Sequence, residues 1–478
     1  MFPQRLCMQH LKQVLKHTVR NYSGSGNIPH VCVVGSGPAG FYTAQQLLKG
    51  NNKIHVDIYE KLPVPFGLVR YGVAPDHPEV KNVINTFTQT ANNERCTFIG
   101  NVCVGQDISL SELQKCYTAV ILSYGAEDDR KLNIPGEDVQ NVVSARNFVG
   151  WYNGLPEDKN LDIDLDTDVA VILGVGNVAL DVARILLTPI DILAKTDITE
   201  YSLERLRKSH IKRVILVGRR GPLQVAFTIK ELREMIKLPG CRPVLHTQDY
   251  TGLDSIYKDL PRPRKRLTEL MYKTAITPTE TDYKLWNNAT KEWELRFRLS
   301  PLEILHDGVK ASGVKFGVNR LEGSDMVNQK CVLTDETESV PCGLVLRSIG
   351  YRSHQIDSSL PFDVKNGVID NTRGRVKDMK GIYCSGWVGT GPVGVILGTM
   401  TDGFDVGKTV LKDLDTGLLD TISNREDALQ LLQRRGVKTV SFKDWNKIDM
   451  IETTDGENIG KPREKIADID KLLNIAHA

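Results

Sequence analysis

Two glycine-rich stretches have the residue types and the spacing that bind a dinucleotide. The first consists of Gly35, Ser36, Gly37, Pro38, Ala39 and Gly40, directly after the apolar run at 31–34. The second consists of Gly174, Val175, Gly176, Asn177, Val178 and Ala179, directly after the apolar run at 169–173. In such motifs the first glycine permits a tight turn, and the second lets backbone approach a pyrophosphate at a helix N-terminus. The sequence therefore predicts two dinucleotide sites.

The residues that follow the next strand of each unit differ in charge. The first unit ends in Glu60, 20 residues past Gly40, and a carboxylate there accepts hydrogen bonds from ribose hydroxyls and repels a 2'-phosphate. The second unit ends in Arg219 and Arg220, whose guanidinium groups can fork onto a phosphate. We therefore expect FAD at the first site and NADP at the second, the alternative for the arginines being a solvated surface pair.

These motifs require strand, turn and helix in succession, so the sequence predicts an α/β fold. Helices are expected at 41–48 and 180–187, and strands at 54–59 and 212–217. Two further apolar strands that end in small residues, 119–126 and 344–350, suit a chain that crosses between two domains. We predict two Rossmann-like dinucleotide-binding domains, with the NADP domain at 130–351 inserted into an FAD domain formed by 23–129 and 352–478.

A third glycine-rich stretch, at 381–396, is typical of a strand, a loop and a helix that begins near Gly394. A helix N-terminus aimed at the flavin would stabilise the negative charge of the reduced ring. Trp387 lies in this loop, and by its type alone it could equally be a core residue.

Residues 1–22 contain Arg5, Lys12, Lys16 and Arg20 and no acidic residue. Together with an apolar helical stripe, this composition predicts a mitochondrial transit peptide cut before Ser23 and a location in the mitochondrial matrix, the alternative being a disordered basic tail. The whole chain of 478 residues has a net charge of +2, so the rest of it carries −2. Because the rest of the chain is nearly neutral, its overall charge does not favour binding to nucleic acid.

The composition also excludes several classes of protein. Apolar residues make up 41% and charged residues 25%, which is typical of a globular chain of two or three domains. No stretch approaches the roughly 18 apolar residues of a membrane-spanning helix. The nine cysteines include no pair with C-x-x-C spacing, which argues against a disulfide reductase, an iron-sulfur cluster and a metal site in this chain.

After Ser23 the chain resembles the mitochondrial ferredoxin-NADP reductases of the adrenodoxin reductase type. The most specific stretch is VPFGLVRYGVAPDHP at 64–78, and further matches are VALDVAR at 178–184, the segment 227–234, Gly386-Trp387 and GKPREK at 460–465. Two positions depart from the family pattern: Val175 stands where Gln is usual, and the loop 388–393 lacks a basic pair that relatives often carry.

The resemblance implies that FAD contacts Ala39, Glu60, Leu68, Val104, Trp387, Gly394, Val395 and Ile396. For NADP it implies contacts with residues 175–178 and with Arg219, Arg220, Glu231 and Gly394. It further implies that NADPH delivers a hydride to the flavin, which passes electrons singly to a 2Fe-2S ferredoxin. His77 and Asp181 are the titratable residues expected beside the flavin and nicotinamide, although His77 could be a structural loop histidine.

Ferredoxins are typically acidic, so the partner site requires a local basic surface. The densest cluster consists of Arg262, Arg264, Lys265 and Arg266, which the interleaved prolines are expected to hold extended. A second cluster consists of Arg205, Arg207, Lys208, Lys212 and Arg213. We expect the first to bind the ferredoxin.

Other functions remain open from the sequence alone. One is an NADPH-dependent FAD oxidoreductase with another acceptor, and another is a non-catalytic nucleotide-binding subunit. By the resemblance, the electrons would supply mitochondrial cytochrome P450 and iron-sulfur cluster pathways. The sequence leaves open which ferredoxin is served, the oligomeric state and any peripheral association with the inner membrane.

Overall fold

The computed structural model describes residues 28–392, 394, 396–420 and 426–478. The predicted transit peptide, 1–22, and the predicted FAD contact Val395 lie outside these residues. No helix in the described ranges is long and apolar enough to cross a membrane.

The strands of the described part range from two to twelve residues in length. In chain order they are β1 (His30–Val34), β2 (His55–Tyr59), β3 (Cys96–Gly100), β4 (Ala119–Leu122), β5 (Asp128–Asp129), β6 (Val142–Ser144), β7 (Val169–Leu173), β8 (Arg213–Val217), β9 (Cys241–Leu245), β10 (Lys291–Arg296), β11 (Leu299–His306), β12 (Ala311–Glu322), β13 (Lys330–Pro341), β14 (Leu344–Arg347), β15 (Tyr351–Arg352), β16 (Phe362–Asp363), β17 (Val368–Ile369), β18 (Asn371–Thr372), β19 (Arg375–Val376), β20 (Ile382–Cys384) and β21 (Val440–Ser441).

The helices of the described part pack mainly on the two large sheets. In chain order they are α1 (Pro38–Gly50), α2 (Gly67–Tyr71), α3 (Pro78–Lys81), α4 (Val83–Ala91), α5 (Leu110–Cys116), α6 (Ala145–Asn153), α7 (Asn177–Leu187), α8 (Ile190–Leu193), α9 (Glu200–Arg207), α10 (Ile229–Ile236), α11 (Leu253–Ile256), α12 (Arg262–Ile276), α13 (Glu280–Trp286), α14 (Trp387–Thr390), α15 (Ile396–Asp415), α16 (Ala428–Arg434), α17 (Phe442–Asn458) and α18 (Ile469–His477).

Each glycine motif follows a central strand of its own sheet, and the strands next to it are parallel. The first sheet has the order β18-β19-β20-β4-β1-β2-β3-β21, and β1 pairs in parallel with both β2 and β4. The second has the order β6-β14-β7-β8-β10-β9, and β7 pairs in parallel with both β8 and β14. In both sheets the strand order reverses beside the glycine turn, which is where α/β sheets bind ligands. The predicted α/β fold with two Rossmann-like domains is confirmed.

The second sheet lies within the sequence of the first. The chain leaves the first sheet after β4 and returns to it before β18, and β5 pairs with β15 in antiparallel fashion at this crossing, with Asp129 opposite Tyr351. A separate sheet of β11, β12 and β13 packs on the second sheet through Val171, Ile215 and Phe316. The domain bounds at 130 and 351 stay predictions, although the crossing lies next to both.

The helices begin earlier than the apolar pattern predicts. Helix α1 starts at Pro38 and α7 at Asn177, each directly after the second glycine of its motif. Proline is well tolerated in a first helical turn, because its missing N–H would have no partner within the helix there. As a result, both helix N-termini point at their glycine turns.

Candidate functional site

The first glycine turn is closely packed everywhere except at its second glycine. Gly35 has a φ of +103°, and a Cβ there would lie 2.5 Å from the Ser123 carbonyl oxygen. A Cβ on Gly40 would lie 2.0 Å from the Gly35 carbonyl oxygen. On Gly37, by contrast, a Cβ would meet no atom of the described chain within 4 Å. The turn therefore leaves open space at the position where the motif brings backbone to a pyrophosphate.

Glu60 is turned back toward this space. Its carboxylate accepts hydrogen bonds from the Ser36 N–H at 3.1 Å and the Ser36 hydroxyl at 2.6 Å, and from the Leu62 N–H at 3.2 Å. Burial raises the pKa of Glu60, and these hydrogen bonds oppose the rise. The structure thus places the predicted ribose-binding carboxylate beside the first glycine turn.

The predicted FAD contacts lie on several separate segments. Ala39 is buried against the C-terminal glycine loop, because a Cβ on Gly386 would lie 2.5 Å from the Ala39 Cβ. Leu68 lies on α2, whose first residue, Gly67, approaches Gly37. Val104 is 8% exposed and packs in the cluster on one face of the first sheet. These three contacts with FAD remain predictions.

The second glycine turn repeats the packing of the first. Gly174 has a φ of +135°, and a Cβ there would lie 2.1 Å from the Ser348 carbonyl oxygen. A Cβ on Gly176 would meet nothing within 4 Å in the described ranges. The Asn177 side chain accepts a hydrogen bond from the Thr228 N–H at 2.8 Å. The Val175 carbonyl accepts one from the Ala226 N–H at 2.9 Å. The contact of Val175 with NADP remains a prediction.

One cleft of 1270 Å³ joins the second glycine turn to the C-terminal glycine loop. One part of its wall is formed by Arg219 and Arg220 with the turn itself, and another part by Trp387, Pro392 and Gly394. Cofactor pockets commonly have volumes of about 300 to 1000 Å³, so the space is ample for a dinucleotide. Residues predicted to contact NADP and residues predicted to contact FAD therefore line the same cleft.

Arg219 and Arg220 are both exposed, and neither forms an ion pair with any residue that the structure describes. Trp387 is only partly buried and lines the cleft, with its ring centre 5.9 Å from that of Tyr351. Its indole N–H has no hydrogen-bond partner among the described atoms although it is buried. The alternative that Trp387 is a core residue is therefore the weaker interpretation.

His77 and Asp181 belong to one charged cluster centred on Arg184. The Arg184 guanidinium lies 2.5 Å from Asp76, 2.7 Å from Asp181 and 3.2 Å from Glu231. His77 Nε2 lies 2.7 Å from a Glu234 carboxylate oxygen, and that oxygen lies 3.7 Å from Arg184. The cluster joins the first domain to the second, because its residues lie on both sides of the β5 crossing. The proposed catalytic roles of His77 and Asp181 remain predictions.

Three acids of the cluster, Glu231, Asp181 and Asp76, have shifted pKa values. Burial raises the pKa of Glu231 to about 7, and the nearby Asp181 charge adds to the rise. Burial also raises the pKa of Asp181. For Asp76 burial acts in the same direction but is outweighed by the Arg184 hydrogen bonds, which lower its pKa. Asp181 also acts electrostatically on Tyr351, which connects the cluster to the wall of the cleft.

We expect the variant Glu231→Gln to be more stable to heat than the wild-type protein, by a margin that grows as pH rises. A carboxyl whose pKa is higher in the folded than in the unfolded chain lowers stability as pH rises from 4.5 to about 7. Because glutamine does not ionise, the variant should unfold at a higher temperature than wild type at about pH 8, with a smaller difference at about pH 5. Circular dichroism melts at both pH values measure this; an equal difference at both would contradict it.

Sequence reasoning missed Asp76, Arg184 and Glu234. All three lie in stretches that carry the family resemblance, 64–78, 178–184 and 227–234. Their pairing was not visible because the three segments meet only in the folded chain.

The basic cluster at 262–266 is helical, so the expectation of an extended segment is wrong. Helix α12 begins at Arg262, and Pro263 occupies its first turn, where proline fits. Arg262 and Arg266 are exposed and lie four residues apart on one helical face. Arg264 is partly buried and donates a hydrogen bond to the Val225 carbonyl at 2.7 Å, and Lys265 donates one to the Lys258 carbonyl at 3.0 Å.

The second basic cluster is largely engaged within the chain. Arg207 lies 3.0 Å from Glu200, Lys212 lies 3.0 Å from Asp168, and Arg213 lies 2.5 Å from Glu294. Arg205 donates hydrogen bonds to the Ile163 carbonyl. Pairing of this kind favours the first cluster as the surface with charge left for a partner.

Known proteins resemble the chain over almost all of its length. Residues 29–235 match the family model described as pyridine nucleotide-disulphide oxidoreductase. The protein named NADPH:adrenodoxin oxidoreductase, mitochondrial, from Homo sapiens is 58% identical, covering 95% of this chain and 93% of the relative. The proteins of the same name from Salvelinus fontinalis and Arabidopsis thaliana are 57% and 43% identical, over 94% and 96% of this chain and 91% and 97% of theirs.

The solved structure of Mycobacterium tuberculosis FprA in complex with NADPH is 38% identical and has a TM-score of 0.88, with 94% of this chain and 100% of FprA covered. The curated names agree with the predicted mitochondrial location. Identities of 43% to 58% over more than nine-tenths of each relative assign the chain to the family of mitochondrial NADPH:adrenodoxin oxidoreductases.

Proposed function

We propose that the chain is a flavoprotein oxidoreductase that passes electrons from NADPH through FAD, one at a time, to a mitochondrial 2Fe-2S ferredoxin of the adrenodoxin type. The observation that supports this proposal is the pair of glycine turns, each of which is open at its second glycine. The side chain beside the first turn is acidic, and those beside the second are basic. Gly37 lies beside the carboxylate of Glu60, and Gly176 lies on the same cleft as the exposed side chains of Arg219 and Arg220.

The residues around the first glycine turn fit FAD. The open space at Gly37 suits a pyrophosphate at the N-terminus of α1, and Glu60 suits a ribose that carries free hydroxyls. When bound, FAD supplies the redox chemistry, since it accepts a hydride and gives up single electrons. The chain's task is to orient both cofactors and to keep water away from the point where they meet.

The residues around the second glycine turn fit NADPH. Arg219 and Arg220 would hold the 2'-phosphate, and the N-terminus of α7 would hold the pyrophosphate. Trp387 and Gly394, on the same cleft, mark the end where the nicotinamide would lie. As the sequence predicts, His77 and Asp181 would contribute to the charge balance at this end, Asp181 through its electrostatic effect on Tyr351 of the cleft wall.

The test has two parts. Purified protein should be yellow and should lose its flavin absorbance on addition of NADPH under anaerobic conditions. It should then reduce cytochrome c with NADPH only when a mitochondrial 2Fe-2S ferredoxin is added. Protein that is not bleached would be a nucleotide-binding subunit without turnover, and bleaching with no ferredoxin-dependent activity would indicate another acceptor.

We further propose that Arg262 and Arg266 bind the ferredoxin, and we expect Arg262→Glu/Arg266→Glu to lose most ferredoxin-dependent cytochrome c reduction. Both side chains are exposed on one face of α12, and attraction of an acidic partner by such a patch weakens as salt screens it. The activity that remains should therefore depend less on salt than that of the wild type. NADPH reduction of ferricyanide, which requires only the cofactor sites, should be retained.

The matched control reverses two charges in the second basic cluster, Arg207→Glu/Lys212→Glu, and should keep ferredoxin-dependent activity. Loss of both activities in the α12 variant would assign Arg262 and Arg266 to the fold or to the cofactor site. Retention of both, with loss in the control, would move the partner site to the second cluster.

A further inference from the structure

The segment between α17 and α18 connects the two domains through buried charges that none of the roles above requires. Its Lys465 side chain is 1% exposed. The ammonium lies 3.0 Å from an Asp197 carboxylate oxygen, donates to the Asp197 carbonyl at 3.1 Å, and lies 3.4 Å from the Asn153 side-chain oxygen. Asp197 and Asn153 both lie in the inserted sequence between β5 and β15. Lys465 thus holds the C-terminal segment to the inserted domain.

The same two residues hold a segment of the first domain. The Asp197 carboxylate also accepts hydrogen bonds from Lys81 at 2.6 and 2.7 Å. The Asn153 side chain donates one to the Tyr71 carbonyl at 3.1 Å. Tyr71 and Lys81 delimit a stretch of eleven residues that runs through α3 and its preceding loop. Lys465 therefore reaches both ends of this stretch through one residue each.

A second buried pair fixes the start of the stretch to the C-terminal segment. Arg70 lies 2.6 Å from Glu452 of α17, and both side chains are almost completely buried. Glu452 also lies 2.8 Å from Arg463 and accepts a hydrogen bond from the Ile466 N–H at 2.9 Å. The start of the stretch is therefore held twice.

The stretch between Tyr71 and Lys81 carries Asp76 and His77, which contact Arg184 and Glu234 across the domain boundary. Lys81 and Lys465 both bury an ammonium group against the single carboxylate of Asp197, and removing these charges from water costs free energy. A protein with well-packed apolar side chains in place of buried ion pairs is often equally stable. What apolar side chains cannot supply is a directed contact at a defined distance. The arrangement is thus better suited to setting a position than to adding stability.

We propose that Lys465 is a positioning residue for hydride transfer: through Asp197 and Asn153 it holds the stretch 71–81, and with it Asp76 and His77, against the Arg184 cluster. The inference rests on the proposed function, because its kinetic effect presupposes that NADPH reduces the flavin. It concerns the protein's own geometry, however, and is measurable without NADPH.

The first test is hydrogen–deuterium exchange of the flavin-loaded protein without NADP. Lys465→Met keeps a long side chain and removes its charge. In this variant the amides of 71–81 should exchange faster than in wild type, while those of α15 should be unchanged. The matched control is Lys471→Met, a change of the same kind at an exposed position of α18, and it should leave both regions as in wild type.

The second test is the rate of flavin bleaching at saturating NADPH. Small errors in the position of reacting groups are costly, so this limiting rate should fall about tenfold or more in Lys465→Met, whereas the apparent Kd for NADPH changes by less than about twofold. Asp197→Asn, which also loses the Lys81 pair, should show at least this loss. The double variant should be little worse than Asp197→Asn alone, because both changes act on the Lys465–Asp197 contact. Lys465→Arg should recover part of the rate.

Three results would overturn the inference: an unchanged limiting rate, faster exchange spread over the whole protein, or additive losses in the double variant. If Lys465→Met does not fold, Asp197→Asn is subjected to both tests with the same expected outcomes. Wild-type protein that NADPH fails to bleach would refute the proposed function, while faster exchange confined to 71–81 would still support the positioning role.

Discussion

The variant Gly37→Val is expected to purify as a folded, colourless protein without flavin. Gly37 has a φ of −77° and a ψ of −174°, which valine adopts readily, and a Cβ there meets no described atom within 4 Å. The fold therefore tolerates the side chain. The isopropyl group, however, fills the space in which backbone would meet the FAD pyrophosphate. Flavin absorbance per protein and the far-ultraviolet circular dichroism spectrum measure the two expectations.

The matched control is the same change at the equivalent glycine of the second turn. Gly176 has a φ of −108° and is equally open on the side of its missing Cβ. Gly176→Val should keep its flavin but should no longer be bleached by NADPH at concentrations that bleach the wild type. Full flavin content in Gly37→Val, or loss of flavin in Gly176→Val, would show that FAD and NADP are assigned to the wrong glycine turns.

The second large effect is expected from Arg219→Ala/Arg220→Ala, which should abolish most of the preference for NADPH over NADH. A hydrogen bond to a charged group contributes about 1.5 to 3 kcal/mol, so the loss of two should raise the KM for NADPH by about two orders of magnitude or more. NADH carries no 2'-phosphate, so its KM should stay within about twofold. Steady-state ferricyanide reduction with each nucleotide measures both constants.

The control for this variant is Arg207→Ala/Lys208→Ala, a pair of exposed basic residues at the end of α9 that are not among the residues lining the cleft. It should leave both KM values unchanged. An equal rise in KM for NADPH and NADH in the Arg219 and Arg220 variant would mean that the two arginines support the shape of the cleft and do not read the 2'-phosphate.

The parts of the site that the sequence predicts correctly are those whose geometry is local. Gly35 and Gly174 need positive φ because the chain turns directly from a strand into a helix, and both turns form within six residues. Glu60 and Arg219 follow the next parallel strand, and since such strands end at the same edge of a sheet, their offset in the sequence predicts their place beside the turn.

Local patterns also misled where they ignored helix geometry. The prolines at 261 and 263 indicated an extended segment, but a helix accepts proline in its first turn, so α12 begins at Arg262. Helical periodicity then separates the four basic residues. Arg262 and Arg266 share an exposed face, whereas Arg264 turns inward to the Val225 carbonyl.

The sequence by itself thus determined the two glycine turns and the opposite charges beside them, because each depends on residues close together in the chain. It also indicated the insertion of one domain into the other, because the apolar strands at 119–126 and 344–350 flank the second glycine motif. Only the tertiary structure decided the contacts among distant charges. Arg184 meets Asp76 and Glu231, and Lys465 meets Asp197, across 47 to 268 residues of sequence. A buried charge is stable only with a partner, and any of the chain's many acids could in principle have served, so folding alone selects which one does.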